Sequence, residues 1–278
     1  SHTPAGSDRP VGRVWALPPT GGAAATVGRV VIDNLPNGRH NTNGMAIHRG
    51  RLYIANGNAT DDGATGGFPE LPLNGTLLSI PVGARGLDAA RNPPQLQVEA
   101  RGMRNVYDVA FRPGSDEAWM PTNGPDALEP FGEDLLHMVD VRGPTADMGF
   151  PGCVYTASAE GPKFAQNPAV AKTTPCNPRH RRPEQLLGLH VSADGLAFGP
   201  DDASWGGDLY IAEFGNLFGT EVTGHKIVRV PMTGGRSSPP VDVARGAGPL
   251  DVTFGPAGTG LYVADYASQQ ISLIRAVG

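Results

Sequence analysis

The sequence predicts an all-β chain of short strands joined by tight turns, and three observations predict it. First, 39 glycines and 27 prolines stand among 278 residues, roughly twice the usual share. These are the two poorest residues inside a helix, which excludes a helical bundle or a coiled coil. Second, 39% of the residues are hydrophobic, 18% are charged and the net charge is −5. A chain stays disordered when it combines low hydrophobicity with high charge, so this one folds. Third, one strand–turn–strand unit recurs along the chain.

The elements read as follows. Val11–Leu17 and Thr26–Ile32 resemble the third and fourth strands of a unit. Four units then open on a small apolar strand: Asn43-Gly44-Met45-Ala46-Ile47, Tyr107-Asp108-Val109-Ala110-Phe111, Asp194-Gly195-Leu196-Ala197-Phe198 and Leu250-Asp251-Val252-Thr253-Phe254. A polar turn follows each, then a second strand: Arg51–Ala55, Glu117–Met120, Asp208–Ala212 and Gly260–Ala264. Third strands appear at Leu77–Pro81, Lys226–Pro231 and Ile271–Arg275. β-Branched and aromatic residues fill these runs, and Gly, Pro and Asp bound them, as strands and hairpins require.

Repeated four-stranded units are the pattern of a β-propeller. The spacing predicts five or six blades in a single domain over 1–278, with the first blade incomplete at its N-terminus and a long insertion at about 142–189. Closing the ring is expected to need a missing segment or a partner strand. Loops as long as that insertion are usually lids or site walls. Cys153 and Cys176 fall inside it. Two thiols pinning a Pro-rich loop point to a disulfide and to a secreted or periplasmic protein, with two free thiols as the other reading. Asn58-Ala59-Thr60 and Asn74-Gly75-Thr76 fit the glycosylation acceptor pattern, a triplet common by chance.

Nucleic-acid binding draws on a basic patch, and Arg179-His180-Arg181-Arg182 is the one cluster present, better read as a solvated loop. No apolar run approaches the ~18–20 residues of a membrane span. Three stretches at blade starts or after second strands could carry chemistry. His40, in Gly38-Arg39-His40-Asn41-Thr42, can act as a base near neutral pH. Arg104-Asn105 precedes a first strand and can face the central channel. Asn123-Gly124-Pro125-Asp126, followed by Glu133-Asp134, offers main-chain carbonyls and carboxylates to a hard cation.

The ordered set of motifs resembles the soluble quinoprotein sugar dehydrogenases, the glucose/sorbosone dehydrogenase family of pyrroloquinoline quinone (PQQ) propellers. The matching pieces are His40 before Asn43-Gly44-Met45-Ala46, Arg101-Gly102-Met103-Arg104-Asn105, the Asn123-Gly124-Pro125 turn with Glu133-Asp134, Gly149-Phe150-Pro151, His190 before Gly195-Leu196-Ala197-Phe198, Gly207–Glu213, Gly224–Val230 and Pro249–Val252. The resemblance implies hydride transfer from a sugar hydroxyl to PQQ with Ca²⁺ bound. His40 would be the base, and Arg104 would stabilise charge on the quinone oxygens. Asn105, Asn123 and Lys226 would help hold the cofactor. The carbonyls of Gly124 and Pro125 would hold Ca²⁺, and His190 would line the substrate side. A small sugar and an external electron acceptor are the implied partners. The chain departs from the family where Arg39 replaces the acidic neighbour of the base, where Leu136 replaces an Asn, and where Gly248-Pro249 replaces an Arg ahead of Leu250-Asp251. Two other functions suit the same sequence. One is a propeller of this kind that binds a ligand or protein without redox chemistry. The other is a metal-dependent lactonase-like hydrolase using Asn43 and Asp265.

Overall fold

In a computed structural model, residues 2–3, 8–18, 28–126, 128, 131–170, 175–202, 204–216, 222–256 and 259–276 are described. Among them there is no α-helix, and Ala89–Arg91 forms a 3-10 turn. Five sheets of three or more strands follow one another along the chain. The first pairs Val11–Ala16 with Arg29–Pro36 in antiparallel fashion, as the two N-terminal runs predict. Thr26 and Val27, expected to begin the second run, lie outside the described residues. The second sheet is built from Thr42–His48, Arg51–Asn56, Thr76–Pro81 and Gln97–Arg101. The third uses Glu117–Asn123, Glu133–Asp140 and Gln185–Leu189, with Asn105–Val106 and Ala110–Phe111 on its inner side. The fourth comprises Ala193–Phe198, Leu209–Glu213, Lys226–Val230 and Val241–Arg245. The fifth comprises Pro249–Phe254, Leu261–Asp265 and Gln270–Ile274.

Strand alternation explains why these runs are apolar almost throughout. Successive side chains point to opposite faces, and in Arg51–Asn56, Thr76–Pro81, Glu117–Asn123 and Leu209–Glu213 both faces are covered. Leu261–Asp265, by contrast, buries one face, and Gln270–Ile274 is exposed. In Glu117–Asn123, Ala118 and Met120 pack toward the second sheet with Tyr53, Leu77 and Val106. Trp119 packs the other way, with Leu196, Leu209 and Ile211 of the fourth. Tyr210 and Ala212 alternate with Leu209 and Ile211 and meet Val252, Leu261 and Val263 of the fifth sheet. A fourth cluster joins Val14, Ile32 and Leu35 to Ile54, Leu78 and Ile80. The core is therefore a series of layers between face-to-face sheets.

The inner strands touch directly. A Cβ on Gly44 would lie 2.7 Å from the Asp108 Cα, and one on Gly195 would lie 2.6 Å from the Asp251 Cα. Asp108 accepts from its own Val109 amide at 2.8 Å and from Leu196 N at 3.3 Å. The expected strand 107–111 is interrupted here, with residues 107–109 outside any strand between Asn105–Val106 and Ala110–Phe111.

Two further expectations change. Glu133-Asp134 opens an eight-residue strand rather than standing in a loop, its apolar Leu135–Val139 run continuing the pairing with Glu117–Asn123. The insertion at about 142–189 returns Gln185–Leu189 to the third sheet. Its middle forms a hairpin, Cys153–Thr156 against Lys163–Gln166. Cys153 and Cys176 are bonded as a disulfide with Cα atoms 5.9 Å apart.

Candidate active site

Inner strands begin, second strands end and third strands begin at one end of the sheets. His40, Arg104, Asn123-Gly124-Pro125, His190, Glu213 and Lys226 all sit there. The loop 37–41 leads into Thr42–His48 and carries His40, whose ring is partly buried. Gly57 makes room for it, because a Cβ at 57 would lie 2.5 Å from the His40 Cβ and 2.8 Å from Asn105 Oδ1. His40 Nδ1 lies 2.6 Å from Asn58 Oδ1. Burial and then the Arg104 charge push the imidazole down to about 4, so it is neutral at pH 7.

Arg104 is buried, with 4% of its side chain exposed. It donates through Nε to the Asp61 carbonyl at 2.6 Å and through one terminal nitrogen to the Asn123 carbonyl at 3.2 Å. Its other terminal nitrogen pairs with the Asp61 carboxylate and, at 3.3 Å, with Asp126. Arg39 joins the same network, 3.3 Å from Asp61 and 2.8 Å from Asp126. Two cations and two carboxylates thus neutralise one another beside His40. Arg39 turns to these acids, and the polar neighbour of the imidazole is Asn58.

Asn105 donates to Asn123 Oδ1 at 2.7 Å and accepts from Asn43 at 3.0 Å. Asn123 in turn donates to the Ala193 carbonyl at 2.9 Å. This amide ladder ties the second, third and fourth sheets together. Gly124 N donates to Asp134 Oδ1 at 2.9 Å and Ala193 N to Asp134 Oδ2 at 2.8 Å. Burial nonetheless raises the Asp134 carboxyl to about 6. Behind the Gly124-Pro125 turn lies a void of about 30 Å³, lined by Arg104, Thr122, Glu133, His137 and Cys153. Thr122 Oγ1 and His137 Nδ1 are buried without a hydrogen-bond partner, and the space is that of one buried water.

On the far side of Glu133 is a wider depression of about 480 Å³, lined by Glu133, Leu189, Val191, Thr223, Lys226 and Arg245. Lys226 Nζ lies 2.6 Å from Asp242 and 3.7 Å from Glu213. Neither Glu213 oxygen has a hydrogen-bond partner, and burial raises this carboxyl to about 7. His190 packs on Gly132, where a Cβ would meet its ring at 2.2 Å.

The residues expected from sequence divide into two groups. His40, Arg104, Asn105, Asn123, Gly124 and Pro125 form one continuous cluster, whereas Lys226 belongs to the second depression and His190 sits beside Gly132. Sequence reasoning gave no site role to Asn58, Asp61 or Glu213; Asn58 stood only in an acceptor triplet and Glu213 only at the end of a matched strand motif. Asn58 and Asn74 are buried with their amides engaged, so neither is a glycosylation acceptor in the folded chain. Asp265 accepts amides from Ala247, Gly248 and Ser268, a turn-capping role. Among the described residues, no group of three His, Cys, Asp or Glu side chains is arranged for a metal, and no helix is long and apolar enough to cross a membrane.

No family model and no curated protein matches this chain. Solved structures do. A Trichoderma reesei carbohydrate-active enzyme of family AA12, in an iodide structure, superposes with a TM-score of 0.70 at 19% identity, over 88% of this chain and 71% of that one. The PQQ domain of a pyranose dehydrogenase from Coprinopsis cinerea, in its holo form, gives 0.69 at 16% identity, over 94% and 76%. A glucose dehydrogenase gives 0.61 at 20%, over 91% and 70%. The fold is a β-propeller. At these identities the likeness fixes the architecture, and the chemistry has to come from the residues.

Proposed function

We propose that this propeller is a sugar oxidoreductase of the PQQ-dependent type. The observation that carries the reading is the neutral imidazole of His40 beside the buried Arg104 guanidinium, at the end of the sheets where the Gly124-Pro125 turn also lies. A neutral imidazole accepts a proton and a fixed guanidinium stabilises developing negative charge. Similarity to a pyranose dehydrogenase PQQ domain and a glucose dehydrogenase supports the substrate class.

The residues suit the implied groups. The depression that Lys226 and Arg245 line has a volume within the ~300–1,000 Å³ typical of ligand pockets. Arg104, Asn123 and Gly124 lie on the other side of Glu133, so a flat anionic cofactor held by Lys226 would have to extend past Glu133 to meet them. Ca²⁺ prefers hard oxygen donors, and the carbonyls of Gly124 and Pro125 with the nearby Glu133 carboxyl are of that class. When bound, PQQ supplies a quinone able to accept a hydride. The chain's own part is narrower. His40 would take the hydroxyl proton of the sugar, and Arg104, locked by Asp61 and the Asn123 carbonyl, would offer a guanidinium whose charge is shared with Asp61 and Asp126. Asn105 and Asn123 hold the inner strand ends in register, and His190 borders the sugar side. An external electron acceptor would be needed to return such a cofactor to its oxidised form. The disulfide suits an exported protein.

Adding PQQ and Ca²⁺ to the purified protein should give a bound-quinone absorbance and dye reduction with aldoses, both lost on chelation. His40→Ala should abolish turnover and leave cofactor binding nearly intact. Absence of binding at micromolar PQQ sinks this reading. It would leave a ligand-binding propeller without redox chemistry, which one observation favours: Arg104 and Lys226 are already paired with Asp61, Asp242 and Glu213.

A further inference from the structure

We propose that Glu70, acting through Asn58, is a positioning residue that fixes His40 as the tautomer protonated at Nδ1 and leaves Nε2 as the proton-accepting atom. The identity of Nε2 as the working base rests on the oxidoreductase reading. The tautomer does not.

The orientation of the Asn58 amide is forced by its surroundings. Its Nδ2 lies 2.8 Å from the Thr60 carbonyl, 2.9 Å from Glu70 Oε1 and 3.2 Å from Thr60 Oγ1. A carbonyl and a carboxylate oxygen only accept, so the NH₂ end of the amide must face them. Oδ1 is thereby turned to His40 Nδ1 at 2.6 Å. An amide oxygen has no proton to give, so Nδ1 carries the hydrogen and donates it. A neutral imidazole has one N–H, and Nε2 is left with a bare lone pair.

Glu70 holds this arrangement in place. Its two oxygens accept from Ala59 N at 3.0 and 3.1 Å, from Thr60 N at 3.0 Å and from Thr60 Oγ1 at 2.5 Å, besides Asn58. One side chain therefore pins the backbone of 59–60 and aims the amide of 58. Asn58 is 1% exposed, so no water competes for its oxygen. The ring's immediate partner is a neutral amide rather than a carboxylate. It orients the ring without a counter-charge, while Arg39, Arg104 and Asp126 supply the charges that face it.

Long-range ¹H–¹⁵N correlation of the histidine rings tests this in the full chain at pH 7 with no cofactor or sugar, His40 being assigned by its loss in His40→Ala. The expected pattern is a protonated Nδ1 and an unprotonated Nε2. In Glu70→Ala the His40 signals should move toward a tautomer mixture. With PQQ, Ca²⁺ and an aldose, kcat should then fall about 10–100-fold, the range for lost partners that orient an imidazole, with KM changed far less. Glu70→Gln, whose amide oxygen still accepts from Asn58, should keep the wild-type tautomer and most of the rate. Should Glu70→Ala not fold, Asn58→Ala is the second variant and should release the tautomer in the same way. A wild-type His40 protonated at Nε2 overturns the proposal, as does a Glu70→Ala protein with an unchanged ring pattern. A wild-type chain with the expected tautomer that oxidises no sugar supports the arrangement and counts against the oxidoreductase reading.

Discussion

The contact between inner strands predicts a sharp contrast among glycine substitutions. Gly195→Ala would place a methyl 2.2 Å from Asp251 Oδ1 and 2.6 Å from its Cα, and Gly44→Ala would place one 1.9 Å from Asp108 Oδ1 and 2.7 Å from its Cα. The nearer atom can swing away, but each Cα is main chain, Asp251 within Pro249–Phe254 and Asp108 in the break between Asn105–Val106 and Ala110–Phe111, and moves only with its neighbours. Neither glycine has a positive φ, so any loss is steric. Overpacking of a tight interior costs about 1–3 kcal/mol. At roughly 2–4 °C per kcal/mol for domains approaching this size, each Tm should fall by about 4–8 °C for a mid-range cost. Gly83→Ala is the control. Its Cβ would meet nothing within 4 Å and its φ is not positive, so it should be neutral or add up to ~1 kcal/mol by stiffening the unfolded chain. Thermal melts followed by circular dichroism, at one protein concentration and scan rate, measure all three. Asp108, which Gly44 packs on, also accepts from Leu196 N beside Gly195, so the two sites share a partner and the double variant should depart from the sum of the two losses. Gly195→Ala melting within a degree of the wild type would refute the direct inner-strand contact.

Three other outcomes follow from the same structure. Asp61→Ala leaves the buried Arg104 charge with only the exposed Asp126 and should cost about 3–5 kcal/mol, read as a lower urea midpoint with unchanged m. Reducing the Cys153–Cys176 bond, which spans 23 residues, should remove about 3 kcal/mol from the stability of that segment by loop entropy, seen as faster proteolysis between 148 and 184. Stability should also rise as pH falls from 8 to 5. Burial raises Asp108 to about 7, Glu213 to about 7 and Asp194 well above its usual value. A raised folded-state pKa gives stability that is present at low pH and lost as pH rises through it. The imidazoles of His40 and His137, held down to about 4 and about 3 mainly by burial, act the other way once the unfolded chain protonates below about 6.5. At about 1.4 kcal/mol per pKa unit, Asp108 and Glu213 each gain roughly 3 kcal/mol over this range and each imidazole loses about 2, while Asp194 acts in the same direction as the other carboxyls. The three carboxyls therefore prevail. Below pH 4 the trend reverses as Asp33, held low by its hydrogen bond to Arg13, takes up its proton. A Tm that is higher at pH 8 than at pH 5 contradicts this balance.

The strands were legible because burial on both faces writes an apolar run, as in Leu209–Ala212 and Leu77–Ile80. The fourth strands were not, since Gln97–Arg101 and Val241–Arg245 lie at the outer side of their sheets and keep polar, exposed residues. Glu133–Asp140 was overlooked because its acidic start resembles a loop. At the site, His40, Arg104 and Asn123 were visible by their fixed place at strand ends. Asp61 and Glu70 belong to an irregular segment of ordinary loop composition. Their roles arise from hydrogen bonds to groups 10–43 residues away, and no local pattern encodes them.

The two halves of the site differ in how far the chain must travel to close them. The cradle of His40 is made by contacts 12 and 18 residues apart, from loops at the end of a single sheet. The ionic half needs pairs 43 and 87 residues apart. With separations several-fold longer, its closure costs about 1 kcal/mol more in chain entropy per contact. Transient opening of the third sheet should therefore break the guanidinium network and leave the imidazole seated. In native-state hydrogen exchange, the amides of Ala59 and Thr60 should belong to a more protected unit than that of Gly124.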